Sequence, residues 1–96
     1  MKSNIKFYTM IQKKFNIEEA RLISEGKKLG KIKTRDGFEV TIIHWHVRNS
    51  FPIAGIVHLG DDCDYVRQWT NEGKADCRSF VTMSVDLVLE VEGGEG

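Results

Sequence analysis

Two histidines on one predicted strand are the residues best spaced to share a metal ion. His44 and His46 are two positions apart, so on an extended strand they share a face and lie about 7 Å apart. A third ligand would have to come from elsewhere, with His58, Cys63, Cys77 or an aspartate as candidates. Two histidines at the surface or at the edge of the core are the simpler interpretation. We expect no metal and no other cofactor.

The acidic residues and the catalytic motifs do not indicate an enzyme. Asp61, Asp62 and Asp64 lack the central glycine and terminal glutamate of an EF-hand loop, and a solvated hairpin tip explains them better. Asp86 and Glu90 fall on the outer face of the last predicted strand, about 13 Å apart, which exceeds the separation of glycosidase carboxylates. The sequence has no nucleophile elbow and no P-loop. We expect a non-catalytic protein.

The spacing of the cysteines and the length of the apolar runs indicate the cellular compartment in which the protein is expected. Cys63 and Cys77 are too far apart in sequence for a Cys-x-x-Cys redox or zinc motif. The chain shows no signal peptide and no apolar run of the roughly 18–20 residues that cross a bilayer. We therefore expect reduced thiols in a cytoplasmic protein that does not bind membranes.

Arginine and aromatic residues suggest binding of a partner instead of catalysis. Residues 71–84 form the longest stretch without a regular period, and such loops are often functional. Arg78 and Phe80 lie in this loop, and Arg67 and Trp69 lie on the strand predicted before it. These residue types are enriched at binding hot spots, although a small core also needs large aromatic fillers. We take all four as candidate partner-binding residues, and for Arg67 and Trp69 both interpretations remain open.

The net charge of zero hides two oppositely charged parts. Residues 1–36 carry ten basic and four acidic residues, and residues 37–96 carry four basic and ten acidic ones. A basic face can bind phosphate, and Trp69 could stack on a base. The lysines that would make this contact are Lys13, Lys14, Lys27 and Lys28. The sequence pI of about 6.8 is far below the values typical of nucleic-acid-binding modules.

A short helix is predicted after Phe15. Asn16 can cap its first turn, and Glu19, three residues on, can reach back to the cap. Gly26 can adopt the left-handed conformation that ends a helix. Since a helix of about nine residues is marginal alone, its apolar face should pack on a sheet.

From Leu29 onward the apolar residues alternate with the period of β-strands. Asp36-Gly37 predicts a hairpin turn. In the next strand, over residues 38–47, the apolar set changes face after Ile42 and continues at Ile43, which indicates a bulge, a sharp coil or a barrel corner. Further strands are predicted over residues 5–12, 51–59, 65–70 and 85–91.

These elements predict a single, mainly β (α+β) domain. We expect a small, strongly coiled antiparallel sheet or a partly open SH3-like barrel of five to six strands with one short N-terminal helix. Residues 1–14 would be an extension or an extra strand, residues 15–92 the domain and residues 93–96 a frayed tail. An exposed edge strand could pair across a two-fold axis, so a homodimer stays open.

Five motifs occur in order along residues 15–91. They are Phe15-Asn16-Ile17-Glu18-Glu19-Ala20, Lys33-Thr34-Arg35-Asp36-Gly37, Phe51-Pro52-Ile53-Ala54-Gly55, Thr70-Asn71-Glu72-Gly73-Lys74 and Val85-Asp86-Leu87. In type and order they resemble those of small phage and prophage proteins of unknown function, also found in gut bacterial genomes. The resemblance implies a phage or mobile-element origin and a compact β-rich module, and it supplies no activity. The chain departs from the pattern in residues 1–14 and around residues 75–84, where a private function would lie.

Two functional hypotheses follow. The first is a non-catalytic module that binds a host or phage protein, such as a defence component, through a sheet edge and the loop of residues 71–84. The second is nucleic-acid or nucleotide binding through the basic N-terminal third. A phage-encoded protein would act in the cytoplasm of the host cell.

Overall fold

Six strands and one helix form the described part of the protein, residues 10–78 and 80–92 of a computed structural model. In chain order they are β1 (Met10–Lys14), α1 (Ile17–Ser24), β2 (Gly30–Thr34), β3 (Val40–His44), β4 (Ile53–His58), β5 (Asp64–Trp69) and β6 (Leu87–Glu92). The prediction of a mainly β fold with one short helix is confirmed. The first residues of the strand predicted over residues 5–12 and the predicted tail, residues 93–96, lie outside the described residues.

The strands form two three-stranded antiparallel sheets. β6 is the centre of the first sheet, between β1 and β2, with Lys14 opposite Val88 and Thr34 opposite Leu87. β4 is the centre of the second, between β3 and β5. One hydrophobic cluster contains residues of both sheets together with Phe15 from the segment between β1 and α1. The largest fully buried side chains are Trp69, Ile53, Leu89, Val57 and Thr34.

The helix begins and ends at the predicted residues. Asn16 caps it, with Oδ1 accepting the Glu19 amide at 2.9 Å, and Gly26 follows it with a φ of 78°. The Glu19 carboxylate takes a different role from the predicted one, because it pairs with Lys13 and Lys28.

The Asp36-Gly37 turn joins the two sheets. Gly37 has a φ of 101°, and the Thr34 amide donates to the Phe38 carbonyl at 2.8 Å. The turn is as predicted, but only Lys33 and Glu39 bridge the two strands. Beyond this bridge β2 pairs with β6 and β3 pairs with β4.

A bulge explains the change of apolar face in β3. The register with β4 shifts between Ile42 and His44. Ile42 and Trp45 pack on the core, whereas Ile43 is 56% exposed. The predicted irregularity is confirmed, but the expectation that Ile43 joins the apolar face is wrong, because it lies within the register shift, where the regular pairing is interrupted.

Candidate functional site

The segment between β5 and β6 starts with a tight turn that packs on Phe15. The Gly73 amide donates to the Thr70 carbonyl at 2.8 Å, and the Thr70 amide donates to the Lys74 carbonyl at 2.9 Å. Gly73 has a φ of 79°, and a Cβ placed there would lie 2.7 Å from the Phe15 ring. Only glycine allows both this backbone conformation and this close contact.

Asp86 holds the two ends of the following loop, residues 75–84. Its side chain is buried, with 3% exposure. Oδ1 accepts the Ala75 amide at 2.8 Å, and Oδ2 accepts the Met83 amide at 3.0 Å and lies 3.1 Å from Lys74 Nζ. Burial raises the pKa of Asp86, but the two amides and the Lys74 ammonium outweigh it and lower that pKa. The expectation that Asp86 faces solvent is therefore wrong: β6 begins at Leu87, so Asp86 precedes the ladder and turns toward the loop.

Residues of four of the five sequence motifs meet at the base of this loop. Arg35 of the second motif donates its amide to the Asp86 carbonyl at 2.8 Å. Leu87 of the last motif donates its amide to the Gly73 carbonyl of the fourth at 2.7 Å, and Gly73 rests on Phe15 of the first. These motif residues thus build the platform that supports residues 75–84.

Phe80 is the most exposed large apolar side chain of the described residues, at 81%. Arg78, two residues earlier, is also exposed, and its guanidinium forms two hydrogen bonds with the Asp76 carboxylate, at 2.9 and 2.7 Å. The Arg78 side chain and amide hold the pKa of Asp76 far below its usual value. The loop therefore presents an exposed aromatic side chain two residues after a hydrogen-bonded ion pair.

Arg67 and Trp69 are less exposed than the loop residues Arg78 and Phe80. Trp69 is completely buried, and its Nε1 donates to the Val85 carbonyl at 2.8 Å. It fills the core and supports the loop base, so of the two interpretations left open for Trp69 the burial favours the core filler. Arg67 lies opposite Gly55, and its Nε is buried without a hydrogen-bond partner among the described residues.

Acidic neighbours pair with most of the lysines proposed to bind nucleic acid. Glu19 Oε1 lies 2.9 Å from Lys13 Nζ, and Oε2 lies 3.5 Å from Lys28 Nζ. Lys27 Nζ lies 3.4 Å from Glu25 Oε1. Lys14 makes no ion pair with any described residue. The hydrogen bond and charge of Lys13, joined by those of Lys28, lower the pKa of Glu19.

A hydrogen-bonded chain of three polar side chains crosses the second sheet. Thr41 Oγ1 lies 2.8 Å from His58 Nε2, and His58 Nδ1 lies 2.9 Å from Asp64 Oδ1. A hydroxyl, an imidazole and a carboxylate follow one another as in nucleophilic triads. Both contacts are solvent-exposed, and the neighbouring groove is lined by Thr41 but by neither of the other two residues. No sequence pattern indicates this set of hydrogen bonds, because it depends on the strand register.

The histidine pair and the cysteines lie at the surface. The rings of His44 and His46 are perpendicular, with centroids 6.3 Å apart, and Cys63 and Cys77 are exposed free thiols. Within residues 10–78 and 80–92, no group of three potential ligands could hold a metal ion. The single helix of those ranges has eight residues, too few to cross a membrane.

Comparisons of the chain with protein-family models, curated proteins and solved structures gave no match.

Proposed function

We propose that this protein is a non-catalytic binding module that engages another protein through the loop of residues 75–84. The observation that carries the proposal is Phe80, an almost fully exposed aromatic side chain on a loop whose two ends are fixed by Asp86. Burying a phenylalanine side chain contributes about 1.5–3 kcal/mol. A loop already held at both ends loses less conformational entropy on binding, so less of the burial energy is offset and the binding free energy is more favourable.

The surroundings of Phe80 support a protein contact. Arg78 and Asp76 of the same loop form a polar pair, and an apolar anchor with a polar rim is the usual anatomy of a protein interface. Arginine and aromatic residues are also the types most enriched at hot spots.

The resemblance to phage proteins supports a host or phage protein as the partner. Under this proposal the protein acts in the cytoplasm of the host cell, and an inhibitor of a host defence is one form of it, because an inhibitor needs only a complementary surface. The location of Phe80 within the segment that departs from the phage pattern fits a partner specific to this chain.

For the architecture, we propose that the two sheets are parts of one strongly coiled, partly open barrel. The Lys33–Glu39 bridge between β2 and β3 and the shared hydrophobic cluster support this arrangement. The strand order would then be β1-β6-β2-β3-β4-β5, with β1 and β5 at the open edges.

Affinity capture from bacterial lysate with matched variants tests the proposed interface. Phe80→Ala should reduce recovery of a specific protein at least about tenfold, since about 1.4 kcal/mol is a factor of ten in affinity. Leu29→Ala is the matched control, because Leu29 is also a highly exposed apolar residue, at 74%, and lies outside the loop. Equal recovery with both variants, or recovery of nucleic acid in place of a protein, would overturn the proposal.

A further inference from the structure

A groove of about 370 Å³ beside the loop collects basic side chains from three separate segments. Lys13 and Lys14 come from the end of β1, Arg35 from the turn between the sheets, and Lys74 from the start of the β5–β6 segment. Thr82, two residues after Phe80, also lines it, so the groove adjoins the proposed interface.

The cations of this groove differ in how far they are already paired. Lys13 is paired with Glu19, and Lys74 is paired with Asp86. Lys14 and Arg35 make no ion pair with any of the residues that the structure describes. The groove thus offers two uncommitted cations supported by two paired ones.

We propose that this groove binds an acidic segment of a protein, whose carboxylates contact Lys14 and Arg35; the proposal rests on the proposed function and specifies the chemistry of the partner. Among the described strands β1 lies at an edge of the first sheet and pairs with β6 alone, and all five of its residues are exposed. An extended segment can add to such an edge through backbone hydrogen bonds while alternate side chains reach the groove.

Three observations favour an acidic peptide over nucleic acid. Two uncommitted cations would give a salt dependence of only about two phosphate contacts, well below the roughly six to ten of strong DNA binders. Glu72 lines the same groove and repels a continuous polyanion more than it repels spaced carboxylates. Trp69, the aromatic residue expected to stack on a base, is completely buried.

Fluorescence anisotropy with a labelled glutamate peptide of about ten residues, in which glutamate alternates with serine, tests this site, because alternate side chains of an extended segment share one face and its carboxylates are spaced. The Lys14→Ala/Arg35→Ala double variant should weaken binding at least about tenfold. Lys27→Ala/Arg48→Ala is the matched control, because it removes the same charge from exposed positions outside the groove, and its affinity should stay within about twofold of wild type. Circular dichroism checks that both variants fold.

Equal weakening by the two double variants would overturn the proposal, because the attraction would then be that of overall charge. Tighter binding of a single-stranded oligonucleotide of similar length would overturn it in favour of nucleic acid. Phe80→Ala separates this proposal from the previous one, because it should leave the affinity for the glutamate peptide unchanged. If Phe80→Ala abolishes capture but the wild-type protein does not bind the peptide, the groove proposal alone is refuted. If the wild type binds the peptide but Phe80→Ala does not affect capture, the proposed loop interface alone is refuted.

Discussion

At the scale of single residues, Asp86 determines how the β5–β6 loop is held. Its carboxylate satisfies two backbone amides and the Lys74 ammonium in a nearly water-free position. The net contribution of such a buried network to the free energy of unfolding is modest. Removing one partner lowers that free energy by a larger amount, because the remaining groups stay buried and unpaired.

Asp86→Asn should therefore lower the free energy of unfolding by about 1–3 kcal/mol. The carboxamide keeps one acceptor oxygen, but its NH₂ group faces an amide donor or the lysine. Urea unfolding measures the change, and Asp61→Asn, at the exposed connection between β4 and β5, is the control, expected to stay within about 0.5 kcal/mol of wild type. Similar stability of the two variants would contradict the bracing role of Asp86.

The residues that act locally could be predicted from the sequence. Asn16 and Gly37 act on groups within four positions of themselves, so their neighbours in the sequence were sufficient. The burial of Asp86 could not be predicted, because alternation of apolar residues along a strand does not show at which residue the β-sheet pairing begins. Trp69 could not be placed either, since its residue type is common in cores and in binding sites.

At the scale of elements, the turn at Gly73 positions the loop by packing directly on the ring of Phe15. Gly26 provides a natural comparison, since its φ of 78° is almost that of Gly73, but a Cβ there would have no atom within 4 Å. Substitution of Gly26 therefore measures the free-energy cost of a left-handed backbone conformation alone, whereas substitution of Gly73 adds the cost of a steric clash.

Gly26→Ala should cost about 1–2 kcal/mol of unfolding free energy through its backbone alone. Gly73→Ala should cost a further 1–3 kcal/mol, approximately, because Phe15 must move. Chemical denaturation of both variants measures the difference. Equal losses would show that the turn does not depend on its contact with Phe15.

The strands themselves were predicted to within a few residues, whereas their partners were not. β6 follows β5 in the chain but pairs with β1 and β2, and no local pattern encodes such distant pairing. The candidate interface was predictable in part, since the irregular period of residues 71–84 marked the loop. The groove beside it was not, because Lys14, Arg35 and Lys74 meet only through the pairing of β6.

At the scale of the whole molecule, the contrast between a basic and an acidic half is partly removed by folding. Two ion pairs join the halves: Lys31 Nζ lies 2.9 Å from Glu39 Oε2, and Lys33 Nζ lies 3.0 Å from Glu90 Oε1. Lys14 and Arg35, which make no ion pair with any described residue, both line the groove, so charge mapped onto the fold is a better guide to a partner than charge counted along the chain.

Ionisation of Asp86 should also make the stability of the whole protein depend on pH. Although burial alone raises the pKa of Asp86, the Ala75 and Met83 amides and Lys74 bring it below its ordinary value of 3.8. A carboxyl group whose pKa is lower in the folded state stabilises the fold at pH values above its pKa in the unfolded state. This stabilisation is lost as the pH falls below the unfolded-state pKa and through the folded-state pKa. Wild type should therefore exceed Asp86→Asn in unfolding free energy at about pH 6, and this difference should shrink at about pH 3. Urea unfolding of both proteins at the two pH values provides the measurement, and a difference that does not change with pH would contradict the ionised state of Asp86 as its source.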